Sequence, residues 1–312
     1  MAYTKISDLI VPEIFTKYMI QESVDKNAFI KSGIAAPDPA VNITAGGTTV
    51  NVPFFESLDA EDEIITEDGA TTINSISAAK DVAAVLARTV GFGATDLSRL
   101  FSGADPMKAI IAQLGNLWAK RFTEVIKNVL KGIFGVAALS DNVLDNSTHD
   151  LSAGVMTDAM YLLGDNSEKV SAIAMHSKVL AKLKKLDILD RNTFMPSAMP
   201  TDYQTYMGRR VIVDDTLAAT SDVYPIYLFG NGAIAFNENP ELATVETDRD
   251  IVEHKDVLVT NRVFTMHPRG VKWIGTAAGE TPINAELATS TNWELVENPK
   301  NVKIACVKTL IS

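Results

Sequence analysis

The sequence predicts a mixed α/β fold of the α+β kind, drawn out into a flat, elongated layer. Three stretches predict it: a helix long enough to span the molecule, a two-stranded excursion between Thr48 and Ala94, and a strand-forming run from Val257 to His267. The helix covers Asp105 to Phe134. Asp105 is a good N-cap, and Pro106 suits the first helical position, where its missing N–H costs nothing. Met107, Ile110, Ile111, Leu114, Leu117, Trp118, Phe122, Val125, Ile126, Val129, Leu130 and Ile133 keep helical time. Lys108, Gln113, Asn116, Lys120, Glu124, Lys127 and Lys131 fall between them, so one face is apolar and the other wet. Gly132 and Gly135 are read as the stop, and Lys127 and Lys131 suit the negative end of the helix dipole. At about 1.5 Å per residue the helix is roughly 40 Å long. A compact globule of 312 residues has a radius of gyration of only about 19 Å. The helix is therefore a strut, with Gly115 as its one candidate bend.

The excursion opens with the strand Thr49-Val50-Asn51-Val52 and continues through Pro53-Phe54-Phe55. An acidic run follows: Asp59, Glu61, Asp62, Glu63, Glu67 and Asp68, ending at Gly69. Thr71 to Ser77 reads as the returning strand and Val82 to Phe92 as its continuation. An isolated hairpin is marginal in water, so one this long needs support from elsewhere. The acidic run is not an EF-hand, because a register anchored on Gly69 puts Ile64 and Thr66 where carboxylates belong. The Val257–His267 strand would be about 35 Å long at ~3.3 Å per residue, well past the usual length. Val257, Val259 and Val263 mark one face, Leu258, Phe264 and Met266 the other.

The remaining elements fill in around these. In residues 1–45, Val11, Ile14, Phe15, Tyr18 and Met19 share one helical face, followed by Phe29, Ile30 and Ile34 before Pro37 and Pro39. Such an arm cannot bury its own stripe and must lie on its own body or on a neighbour. Leu139 to Asp150, rich in Asp, Asn and Ser, reads as a loop. Ser152 to Leu163 is a helix, Val170 to Met175 a buried strand, and Lys178 to Leu186 a basic helix. Met207 to Asp215 is a turn into a strand, and Tyr224 to Phe229 another apolar strand. Strands alternating with helices make residues 140–240 an α/β unit. The last segment, Thr281 to Ser312, carries Trp293 and a final strand, Val302 to Val307.

Composition narrows the function. The chain is 46% hydrophobic and 21% charged, ordinary for a folded, soluble protein. A net charge of −11 disfavours gripping nucleic-acid phosphates, and the one dense basic run, Lys178 to Lys185, reads as a solvated helix face. Cys306 is the only cysteine, which excludes an internal disulfide and a cysteine-rich metal site and fits a reducing cytoplasm. The N-terminus lacks the pattern of a signal peptide, and no window approaches the ~18 apolar residues of a membrane span.

Catalytic signals are thin. Gly230-Asn231-Gly232-Ala233-Ile234-Ala235 follows an apolar strand, with Asp248 and Asp250 downstream. A dinucleotide site needs that turn to open a helix, but Phe236-Asn237-Glu238-Asn239-Pro240 cannot continue as one. It reads as a glycine turn between strands. His149, His176, His254 and His267 are scattered, with no second ligand three or four residues away. Cys306, inside an apolar strand, reads as a small core residue. No catalytic, cofactor-binding or metal-binding residue is predicted.

Arm, long hairpin, strut helix, α/β unit and very long strand, in that order, resemble the major capsid protein of tailed bacteriophages, the HK97-type fold. Local stretches carry the resemblance: Met207-Gly208-Arg209-Arg210-Val211-Ile212-Val213-Asp214-Asp215 is similar to a G-x-x-V-x-V-x-D element, and Leu228-Phe229-Gly230 with Ala233 to an fG-x-x-a strand. Val245 to Asp250 with His267 to Trp273 resembles the end of the peripheral domain. Pro282 to Leu287 with Asn292-Trp293 and Pro299-Lys300-Asn301 resembles the C-terminal segment of many phage coat proteins.

The resemblance implies an N-terminal arm (1–45), an extended E-loop hairpin (46–95), a P-domain (96–139 and 241–280, spine helix 105–134) and an A-domain (140–240 and 281–312). It implies a non-enzymatic coat protein, without cofactors, self-assembling as hexamers and pentamers into an icosahedral shell around double-stranded phage DNA. The partners it implies are further copies of the chain, a separate or cleaved scaffolding protein, a portal, non-specifically contacted DNA and room for a decoration protein, with no membrane. Location would be the virion, after assembly in the bacterial host cytoplasm. Residues 56–79 contain no lysine and Lys80 lies off the tip, so a lysine–asparagine cross-link of the kind some relatives form is not expected. An encapsulin-like shell around protein cargo is the alternative of the same fold. A nucleotide-binding enzyme using Gly230 and Gly232 is the alternative of another class.

Overall fold

The structure, a computed structural model, describes residues 27–43, 47–55, 62, 64, 73–76, 78–102, 106–186, 205–217 and 220–311. One sheet contains β1 (Ala35–Pro37), β2 (Thr49–Phe55), β3 (Ala78–Thr95), β9 (Ile234–Glu238), β10 (Thr244–Asp250) and β11 (Lys255–Pro268). β11 is its seam. One edge of β11 pairs antiparallel with β3 from Lys255 to Thr265. The other pairs with β10 as far as Asn261 and then with β9 from Phe264 to Pro268. Along β11 the side chains alternate, with Asp256, Leu258, Thr260, Arg262 and Phe264 buried and Val257, Val259 and Val263 half-buried. The strand is thus continuous, as its sequence predicts, and extends beyond Val257–His267 at both ends.

Helix α3 (Pro106–Ile133) covers the buried face of this sheet without a break at Gly115. Phe122 is the centre of the contact, edge-on to Phe264 at 4.8 Å and to Phe236 at 5.8 Å. Beside it the Trp118 indole donates to Thr260 Oγ1 at 3.2 Å. Arg262 stacks beneath both rings, its guanidinium 5.3 Å from the Trp118 ring and 5.6 Å from that of Phe122. Its counter-ion is Glu238, at the break in the ladder between β9 and β10. Burial pushes the Glu238 carboxyl up and the Arg262 guanidinium down, and each partner's charge pulls the other back.

The described part of the arm lies on the chain's own body. Helix α1 (Ala28–Lys31) is capped by Asn27, whose amide nitrogen donates to Ala119 O on α3 at 2.9 Å. Phe29 and Ile34 are fully buried, and β1 adds parallel to β9. The helical face around Val11 to Met19 lies outside the described residues, as do Asp105, Thr71, Thr72, Ser77 and, apart from Asp62 and Ile64, the acidic run. Residues 73–76 are not strand, and among the described residues the return strand runs from Ala78.

The second sheet has the order β4-β14-β8-β5-β7-β6. Its members are β4 (Val143–Asp150), β5 (Val170–Met175), β6 (Thr205–Tyr206), β7 (Arg209–Val213), β8 (Val223–Gly230) and β14 (Ile304–Leu310). Helices α4 (Ala153–Met160) and α5 (Ser177–Lys185) cover one face through Met156, Met160, Val179 and Leu183. The end of α3 covers the other, with Phe134 stacked on Tyr227 at 5.7 Å. Covered on both faces, β5 and β8 read as unbroken apolar runs. The turn between β6 and β7 places Met207 and Gly208 at φ 48° and 74°, which suits the tight hairpin. β4 corrects the sequence reading. Leu139 to Asp150 is not a loop but a 3-10 turn (Ala137–Asn142) followed by a strand parallel to β14. As an edge strand with no position fully buried, β4 tolerates polar residues that mimic a loop.

Gly132 and Gly135 do not act as the left-handed stop that the sequence predicts. Gly132 lies inside the helix, and neither residue adopts positive φ. They allow close approach instead. A Cβ on Gly132 would collide with Leu287 O and sit 2.6 Å from Trp293 Nε1, and one on Gly135 would meet Ser290 Cβ at 2.7 Å. Helix α6 (Asn284–Leu287) therefore packs directly on α3, with the Trp293 indole donating to Leu287 O at 2.8 Å. β12 (Val271–Trp273) pairs with β13 (Trp293–Leu295) beside it. Residues 284–295 thus sit with the long helix, and only β14 of the last segment enters the second sheet.

Two stability experiments follow. Gly132→Ala should destabilise the protein by about 1–3 kcal/mol through overpacking, while Gly279→Ala, with open space around it, should leave denaturant unfolding unchanged. Glu238→Gln should cost about 3–5 kcal/mol by leaving Arg262 without that charge beside it, and Arg262→Met with Glu238→Leu should recover most of the loss in the same assay.

Candidate assembly surfaces

β3 is an 18-residue strand, about 60 Å long at ~3.3 Å per residue. Only its second half belongs to the seam. From Ala78 to Ala84 it pairs with β2 alone, and the resulting two-stranded ribbon leaves the sheet. Its root is anchored: Val50 and Val52 pack on Val41, Ala83 and Ala235. Asp81 accepts from His267 Nε2 at 2.7 Å, at the turn where Arg269 pairs with Asp38 at 2.7 Å. Further out, Phe55 is 72% exposed and Ile73 95% exposed. A ribbon of this length with apolar side chains in water has no stabilising surface of its own.

A second unsatisfied surface lies at the far end of the seam. The chain turns there through residues 251–254, between β10 and β11, next to helix α2 (Asp96–Ser102). Asp96 N donates to His254 O at 2.9 Å. Arg249 forks between Asp96 at 2.6 Å and Asp256 at 2.8 Å, and those carboxylates, Asp96 first, hold its guanidinium further up in pKa. Asp250 Oδ1 accepts from Val252 N and Glu253 N, fixing the turn. This polar clamp holds Leu97, Leu100, Ile251 and Val252 outward, 60% to 89% exposed. Sequence reasoning missed the patch because its two halves are about 150 residues apart; only the unusual pairing of two apolar residues in a turn, Ile251-Val252, hinted at it.

The residues weighed for chemistry are not brought together. Gly230 to Gly232 is a turn whose next element is β9, not a helix, with Gly232 at φ 63°. Asp248 and Asp250 lie on β10, in the other sheet from β8. His176 caps α5, accepting from Lys178 N at 3.0 Å, and His149 meets Thr148 at the exposed end of β4. His254 is exposed at the tip and His267 is buried on Asp81. Cys306 is buried in β14, and burial pushes its thiol up to about 12. Among the described residues no cluster of His, Cys, Asp and Glu could hold a metal ion. A cleft of about 550 Å³ lies between β3, α3 and α6, but its arginines are engaged: Arg88 on Pro282 O and Asn284, Arg121 on Glu124 at 2.7 Å. No nucleophile stands beside a base there.

Comparison with known proteins agrees with this geometry. The family model described as major capsid protein 13-like (Gp13-like) matches residues 45–304. The major capsid protein of Bacillus phage SPP1 is 38% identical, covering 99% of this chain and 98% of that protein. Among solved structures, the capsid of a native GTA particle aligns at a TM-score of 0.56 and 10% identity over 93% of this chain and 90% of that one. The Cyanophage Pam1 capsid aligns at 0.54 and 12%, covering 85% and 86%, and the capsid of Myoviridae phage XM1 at 0.53 and 12%, covering 91% and 92%. A seam sheet under a spine helix and an outreaching ribbon are thus those of an HK97-type shell subunit, and the chain belongs to the Gp13-like family of bacteriophage major capsid proteins, structural proteins rather than enzymes.

Proposed function

We propose that the chain assembles as hexamers and pentamers into an icosahedral shell around double-stranded DNA, with a scaffolding protein and a portal as separate partners. The observation that carries this reading is the pair of unsatisfied surfaces, the two-stranded ribbon that β2 and the start of β3 form as far as Phe55 and the clamped tip at Leu97, Leu100, Ile251 and Val252. They lie at opposite ends of β3, so one copy reaches several neighbours and spreads association over a large area. The ribbon serves as the E-loop and the arm as a strap across the body. The layer of α3 with β9 to β11 serves as the P-domain and the second sheet with α4 and α5 as the A-domain, residues 284–295 counting with the former. A phage shell rather than an encapsulin-like compartment is favoured by 38% identity to a phage major capsid protein.

Negative-stain imaging of the purified protein should show shells tens of nanometres across, or capsomers that close into them. A compact monomer at high concentration would contradict the reading. Leu100→Asp with Val252→Asp should raise the concentration needed for assembly at least tenfold, about 1.4 kcal/mol, and leave the unfolding curve of the subunit in place. Unchanged assembly would remove the tip from the interface.

A further inference from the structure

The chain's acidity is unevenly distributed. Helix α3 carries five basic residues, Lys108, Lys120, Arg121, Lys127 and Lys131, against one acid, Glu124, a net charge of +4. The rest of a chain of net charge −11 therefore carries −15. At 100° per residue, Lys120, Lys127 and Lys131 project within about 40° of one another, opposite the face that packs on the sheet. Arg121 is neutralised by Glu124 at 2.7 Å. The three lysines form no ion pair among the described residues.

The other basic helix is built differently. On α5, Lys182 pairs with Asp150, Lys178 lies over the Tyr224 ring with Asp222 nearby, and Asp215 caps the helix start at Ser177 N. Two of its four lysines, Lys178 and Lys182, are thus answered locally. Across the layer from α3 the sign also reverses. Glu246 and Asp248 on β10 are exposed opposite Val259 and Val257, the residues of β11 that face away from the helix. The layer thus has a basic helix face and an acidic sheet face.

We propose that the outward face of α3 lines the inside of the shell and takes the phosphate backbone of double-stranded DNA through Lys120, Lys127 and Lys131. This rests on the shell reading and adds an orientation to it. The lysines are spaced about 10 Å and 6 Å along the axis at ~1.5 Å per residue. Over that length a duplex presents on the order of ten phosphate charges, at about 1.7 Å per charge. Three point charges hold a sliding polyanion weakly and without reading sequence, while the acidic opposite face repels it.

The test uses dissociated full-length subunits and a fluorescent duplex of about 30 base pairs, with anisotropy read between about 25 and 200 mM NaCl. Wild type should bind with a salt-dependent affinity. Lys120→Gln/Lys127→Gln/Lys131→Gln should lower the slope of log K against log salt by about 2–3, at ~0.9 per phosphate contact, and weaken low-salt binding at least tenfold. Lys178→Gln/Lys184→Gln/Lys185→Gln on α5 should change neither. Undetectable wild-type binding, an unchanged slope in the α3 variant, or an equal loss in the α5 variant overturns the proposal. A slope for polyglutamate that falls in the α3 variant while that for DNA does not also overturns it, in favour of an acidic protein partner. The same preparations are imaged: wild-type shells with an unchanged DNA slope sink only this inference, whereas absent shells sink the shell reading beneath it.

Discussion

The structure depends on the seating of α3 along β11. β11 is hydrogen-bonded on both edges, so its core-facing side chains form a straight track. Trp118 and Phe122 lie on that track against Thr260, Phe264 and Phe236, with Arg262 stacked between ring and strand. Burying such rings is worth roughly 1.5–3 kcal/mol each, and in the buried Arg262–Glu238 pair each charge offsets part of the cost of burying the other. A helix of 28 residues bound to a strand of 14 makes the subunit long before any loop is placed. The second sheet attaches where α3 ends, through Ile133, Phe134 and Tyr227.

That length has consequences for assembly. β3 continues past the end of the seam with only β2 for company, and the opposite end turns back at Ile251 and Val252. Both ends carry apolar side chains that the subunit itself does not cover. The polar groups around them are satisfied: Arg249 clamps the tip, and His267 and Asp81 anchor the ribbon's root. What is left exposed is therefore presented on fixed supports, which lowers the entropy that association must overcome.

Much of this was legible in the sequence because it is periodic. The apolar stripe of α3, the alternation along β11 and the continuous runs of β5 and β8 each follow from local pattern and burial. The Gly230–Gly232 turn was legible because Pro240 left no room for a helix. What local pattern could not show depends on distant partners. Gly132 reads as a stop until Leu287 and Trp293 are placed against it. β4 reads as a loop until β14, some 160 residues later, supplies its ladder. Arg262 and Glu238, 24 residues apart, carry no local sign of their pairing, and the tip needs Leu97, Leu100, Ile251 and Val252 brought together from distant parts of the chain.

The central claim is that the ribbon and the tip are completed by neighbouring copies. Hydrogen–deuterium exchange, compared between dissociated subunits and assembled particles, tests it most directly. Amides of Thr49–Phe55 and of the turn at 251–254 should slow on assembly, while those of α3 from Phe122 to Leu130, already buried in the subunit, should exchange alike in both. Equal exchange of the ribbon and tip in the two states would contradict the account.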